Sequence, residues 1–297
     1  MVPYGRRNIH FRQVFVGLVS LLAAGSCPAA RAADTMDLLF STPQAQVIVR
    51  TLHARDDDPG IKVVELNENG RTIWGSRNAY LPGTVQVLWR QQKPETGPDL
   101  IIGGYTGGSH CSYDVMAIDL ENDQPVQTIS MCNHDLPAVT SDEAGRPRFS
   151  VFFDIEGFNA ASAMVAGVEI PMLWDGEQFV VDGARLLAPQ FDRGGQEKIE
   201  QTIRQELGAW TIDAYRPGTS YDASAPETNQ ALLDLILHGH AVEARNLLNR
   251  AWPQQIGGRD QYWDEFTGAI VKHHLWKQLG LAALVPLDAI PGTARHF

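Results

Sequence analysis

The sequence predicts an α+β protein, with an antiparallel, β-rich part over residues 33–188 and an all-helical part over residues 189–297. Three observations carry this expectation. From about residue 44 to 182, short runs rich in β-branched and aromatic residues alternate with turn chemistry and no helical segments, which favours a sandwich or a propeller-like stack of sheets. Near Pro189 the pattern changes to apolar residues at helical spacing. Ahead of both parts lies a basic, then apolar, then small-residue segment.

That leading segment is the first element. MVPYGRRNIHFRQ holds Arg6, Arg7 and Arg12 without an acidic residue, VFVGLVSLLAA follows, and Ala30-Arg31-Ala32 puts small side chains before Ala33. The order is that of a secretory signal peptide over residues 1–32, cleaved before Ala33, and it predicts a periplasmic or secreted protein. The apolar run over 14–24 is too short to cross roughly 30 Å of hydrocarbon, so no transmembrane helix is expected in the mature chain. Ala24-Gly25-Ser26-Cys27 offers a second reading as a lipobox acylated at Cys27, although it lacks the usual leucine and Pro28 follows. Removing residues 1–32 takes four arginines and no carboxylate, which moves the formal charge from −11 to −15. Such a field opposes nucleic acid and anionic lipid, and no lysine or arginine stripe offers phosphate contacts.

Within the β-rich part, QVIVRTLHA, IKVVELN, TVQVLWR, DLIIGGY, SYDVMAIDL, PVQTISM, RFSVFFDIE, VEIPMLW and QFVVD read as strands. Asp175-Gly176 is a hairpin signal, and Asn67-Glu68-Asn69-Gly70 another tight turn. Asp154 and Glu156 are expected on a polar face opposite Phe153 and Ile155. Beyond Pro189, residues 196–210 place Ile199, Ile203 and Leu207 on one helical face. A second helix is expected over 227–238, with Gly239 as its left-handed C-cap, and a third over 241–251. Asp260 is expected to cap a fourth running to about residue 278. His238 and His240 flank Gly239, where cationic side chains favour the helix dipole; His273 and His274, neighbours on the fourth helix, are expected to point apart.

The chemistry-bearing stretch is GGYTGGSHCSYD, residues 103–114. With the preceding DLII it resembles a group of uncharacterised exported bacterial proteins whose hallmark is a strand followed by Gly-Gly-Ala-His-Cys-Cys, here Gly107-Gly108-Ser109-His110-Cys111-Ser112. Residues 231–253 also look like the helical tail of some members. Ser112 stands where the group has its second cysteine, and residues 93–98 replace an acidic turn, so neither vicinal cysteines nor calcium is implied. The resemblance implies no activity.

The glycines form neither a P-loop nor a Rossmann turn. They predict a bulge or corner, and Gly104, Gly107, Gly108 and His110 are the residues that would receive a ligand approaching bare backbone. Cys111 and Cys132 are an even pair in an exported chain, which predicts a disulfide. A zinc site from His110, Cys111, Cys132 and His134 is disfavoured, because adjacent residues of a strand point to opposite faces. No metal or cofactor is expected. His110, Ser112 and Asp114 alternate and would share one face, an arrangement open to nucleophilic catalysis but also usual for a solvent-facing strand.

The resulting expectation is a non-catalytic binding or accessory protein of the cell envelope, its partner an envelope protein or a small ligand. The alternative is an envelope hydrolase acting on glycan or ester bonds through His110 with Ser112 or a carboxylate such as Asp114. In a third reading the helical part docks a partner through Trp252 and Trp263.

Overall fold

The structure is a computed structural model describing residues 35–43, 45–53, 60–76, 78–81, 83–91, 96–107, 111–120, 125–132, 135–155, 158, 165–216 and 223–287. The expected signal peptide, with Cys27 and Ala33, and the motif residues Gly108 and His110 lie outside the described residues. Among the described residues, twelve strands form three four-stranded antiparallel sheets, each a meander in chain order. The first sheet holds β1 (Thr35–Ser41), β2 (Ala45–Leu52), β3 (Ile61–Glu68) and β4 (Arg71–Gly75). The second holds β5 (Gln86–Arg90), β6 (Leu100–Tyr105), β7 (Cys111–Ile118) and β8 (Gln127–Cys132). The third holds β9 (Thr140–Ser141), β10 (Pro147–Asp154), β11 (Gly167–Trp174) and β12 (Phe179–Val181).

The second sheet is the middle layer, and its sequence says why. LIIGGY of β6 is apolar without alternation, as a strand covered on both faces must be. Leu100 and Ile102 join Met116 and Ile118 of β7 in one cluster with Val47, Val49, Val64 and Leu66 of the first sheet. The intervening Ile101, Val115 and Ala117, with Ile129 and Met131, join Val151, Phe153, Val168 and Ile170 of the third sheet. Each such fully buried aliphatic side chain contributes about 1.5–3 kcal/mol.

The helices are α1 (Gly183–Leu186), α2 (Arg193–Gly208), α3 (Pro226–Leu237), α4 (Ala241–Ala251), α5 (Arg259–Lys272) and α6 (His274–Gln278), followed by a 3-10 turn at Leu281–Ala283. They continue the second core cluster: Leu233 and Ile236 of α3, Leu247 of α4 and Phe266 of α5 belong to the same body as the third sheet. Gln230 of α3 exchanges two hydrogen bonds with the backbone of Gly167 at the start of β11, at 2.9 and 3.0 Å. No helix among the described residues is long and apolar enough to cross a membrane.

Several expectations need correction. β1 and β4 were not anticipated: TMDLLFS is largely exposed, and RTIWG is only five residues long. The fourth helix is two, because His273 is extended (φ −62°, ψ 136°), ending α5 and capping α6. Its cap is left-handed Gly258 rather than Asp260. Asp154 is buried, not solvent-facing: it ends β10 beside His273, whose Nε2 lies 3.8 Å from its Oδ1; Glu156 lies outside the described residues. Trp252 and Trp263 are both buried in the helical core, which removes them as exposed anchors. Left-handed Asn69 and Gly70 (φ 49° and 78°) join β3 to β4, and Gly239, with φ 87°, follows His238, the C-cap of α3.

Candidate functional site

The site grows from β7. The register sets Asp114 between Gly104 of β6 and Ser130 of β8, on the face turned toward the first sheet. The connection after β4 then crosses from the first sheet to the second. Tyr80 exchanges two backbone hydrogen bonds with Lys62 (2.7 and 2.8 Å), and the Leu81 N–H donates to the Tyr105 carbonyl at 2.8 Å. This pins the Tyr80 ring over Gly104. A Cβ at position 104 would lie 2.5 Å from Tyr80 Cδ1, so only glycine admits the ring without displacement. Gly103 fills the same role on the opposite face, where a Cβ would meet Leu136 at 2.5 Å.

Asp114 is 3 % exposed. Its Oδ2 accepts from Asn78 Nδ2 at 2.6 Å and from the Tyr80 hydroxyl at 3.1 Å, and its Oδ1 accepts from the Ser130 hydroxyl at 2.8 Å. All three donors are neutral. Burial first, then the negative charge of Asp114, push the Tyr80 phenol well above its ordinary value, so it stays a donor. Withdrawing a carboxylate from water costs several kcal/mol, and neutral donors offset that cost without cancelling the charge. The carboxylate forms part of the wall of a cavity of ≈ 310 Å³ between the first two sheets, with Trp74 and Ser76 on one side and Met116, Pro125 and Thr128 on the other.

The motif residues are thereby sorted. Gly104 is covered by Tyr80 and offers no bare backbone. Gly107 is exposed and left-handed (φ 87°), a corner as expected. Ser112 is buried, and the β7–β8 register slips between Cys111 and Tyr113, so regular alternation does not run from 111 to 114. The Ser112 carbonyl accepts from the N–H and hydroxyl of Thr106, closing the corner. Asp114 spends its hydrogen bonds on Asn78, Tyr80 and Ser130, not on a catalytic pairing with Ser112. Asn78, Tyr80 and Trp74 were missed. Their one local signal is the aromatic pattern of RTIWGSRNAY after the Asn-Gly turn.

A second cluster lies where α6 meets β8. Cys132, His273 and His274 bring ligand atoms within 4.8 Å of one another, the one such group among the described residues. The rings of His273 and His274 are 4.4 Å apart, closer than helical neighbours pointing apart would allow. His273 Nδ1 accepts from the Leu275 N–H at 3.3 Å, and its Nε2 lies 3.8 Å from Asp154 Oδ1. Burial chiefly, with His274 adding and Asp154 opposing, lowers its pKa from 6.5 to about 4. His274 Nε2 is 3.2 Å from the Ser130 carbonyl and 3.8 Å from Cys132 Sγ. A metal here would need the Cys132 thiolate, and even with it the group supplies three ligands, short of the usual four. Backbone pairing sets Cys111 directly opposite Cys132.

Comparison with protein-family models, curated proteins and solved structures finds no match for this chain.

Proposed function

We propose that the protein is an exported, non-catalytic binding protein of the cell envelope, and that it takes a small ligand into the cleft between its first two sheets. The observation that carries this reading is Asp114, a buried carboxylate held by three neutral donors in the wall of a ≈ 310 Å³ cavity. Structural ties between sheets rarely need a charge, since a neutral amide makes similar hydrogen bonds at a lower desolvation cost. Export is supported by the leading arginines, the apolar run and Ala30-Arg31-Ala32. A Cys111–Cys132 disulfide is supported by their opposed positions in the β7–β8 ladder, since directly opposite antiparallel residues hold their Cα atoms roughly 4.5–5.5 Å apart, within the span a disulfide bridges. The exported group resembled at residues 99–111 fits the same reading.

The test is a thermal-shift panel of amines, carboxylates, sugars and short peptides on the wild type and on Thr128→Trp, whose indole would fill the cleft. At least one class should stabilise the wild type and leave the variant unmoved. Stabilisers acting equally on both proteins refute the cleft. Ester or peptidoglycan turnover that Ser112→Ala abolishes would install the hydrolase instead.

A further inference from the structure

We infer that the ligand of the Asp114 cleft is a small organic ammonium ion; this rests on the cleft being a binding site at all. Charge is the first reason. Asp114 is buried, and among the described residues its partners are an amide and two hydroxyls, none of them a cation. A buried charge is ordinarily paired, and a cation arriving from solution would supply the counter-charge that none of the described partners supplies. The chain's formal charge of −11 favours that arrival.

Lone-pair capacity is the second reason. A carboxylate offers about four acceptor positions. Three are used, two on Oδ2 and one on Oδ1, which leaves room on Oδ1 for an N–H of the ligand. The three donors are aimed at the carboxylate, so none is poised for an anion.

The walls supply the third. Trp74 offers an aromatic face, Met116 a soft thioether and Pro125 an apolar ring. An indole face attracts an alkylammonium through its quadrupole, while the thioether and the proline accommodate its carbon groups. A bare metal ion fits this set poorly: hard cations want six or more oxygens, and zinc wants nitrogen or thiolate. The cavity lies at the low end of the roughly 300–1,000 Å³ common for small-molecule sites, so the ligand is small.

The experiment is calorimetric titration of the full chain with choline, with n-butylamine, and with 3,3-dimethylbutan-1-ol, the neutral carbon isostere of choline. At least one of the two cations should bind, and choline, where it binds, at least tenfold more tightly than its isostere. Thr128→Trp should abolish that binding. Asp114→Asn should erase the preference for charge, and Trp74→Leu, which leaves the carboxylate network in place, should weaken the cation several-fold. Equal affinity for choline and its isostere, lost in Thr128→Trp, overturns the ammonium assignment while the cleft stands. Failure of both cations, when some anion or sugar binds in a Thr128-dependent way, does the same. Cation binding that survives Thr128→Trp overturns the cleft itself.

Discussion

At the scale of single residues, the most consequential position is a hydrogen atom. Gly104 lacks the Cβ that would stand 2.5 Å from the Tyr80 ring, and that vacancy lets the phenol reach Asp114. Gly104→Ala should therefore cost about 1–3 kcal/mol in urea titration, the usual penalty for overpacking. The clash is with the ring of a residue whose backbone N–H and carbonyl are both paired with Lys62 and whose hydroxyl is held by Asp114, so little relaxation is available. Coupling identifies the cause: in Tyr80→Ala the added methyl at 104 should be nearly silent, because the ring it strikes is gone. Additive costs in the double variant would refute the contact.

At the scale of elements, α6 covers an edge. β8 borders the second sheet, so alternate carbonyls on its outer side need partners. The Gln278 amide donates to the Thr128 carbonyl at 2.9 Å, and His274 Nε2 reaches the Ser130 carbonyl. The break at His273 aims α6 there. His273 also gives the contact a pH dependence whose sign follows from its lowered pKa. Its pKa is about 4 in the folded protein against an ordinary 6.5, so the stabilisation is complete above about pH 6.5. It drains away as pH falls toward 4, where the unfolded chain takes up a proton first, and then levels off. The loss should be roughly 2–3 kcal/mol after allowance for solvent screening. Urea titrations at pH 7 and pH 4.5 should show a smaller acid loss in His273→Asn, which keeps a short capping side chain. An identical loss in both proteins would remove His273 from the acid limb.

At the scale of the molecule, two cores share the middle sheet. The smaller joins the first sheet to it, and the larger runs from its other face through the third sheet into α3, α4 and α5. The proposed Cys111–Cys132 link lies in this middle layer, where β7 and β8 meet. Closing that loop should contribute about 3 kcal/mol, so Cys132→Ser should lower the melting temperature by several degrees in oxidising buffer. Mass analysis of the exported protein should find a chain beginning at Ala33 whose cysteines resist alkylation until reduced. Two freely labelled thiols would sink the link, and a lipid-modified chain beginning at Cys27 would replace the signal-peptidase reading.

What the sequence by itself determined is local. Strand and helix types followed from period and turn chemistry, since Asn69-Gly70 and Gly239 need left-handed backbone wherever they stand. The sequence marked β6 only as one strand among several; that both its faces are covered was decided by the sheets packed on either side of it. The tertiary structure alone decided the site. The partners of Asp114 lie 36, 34 and 16 residues away in sequence, and the aromatic wall comes from a five-residue strand whose pattern was too short to read. Hydrogen bonds and van der Waals contacts act over a few ångströms whatever the chain separation, whereas periodicity reports only on neighbours along the chain. For that reason an alternating His-Cys-Ser-Tyr-Asp run suggested a solvent-facing strand, and only the first sheet, lying over it with Tyr80, makes Asp114 a buried charge facing a cavity.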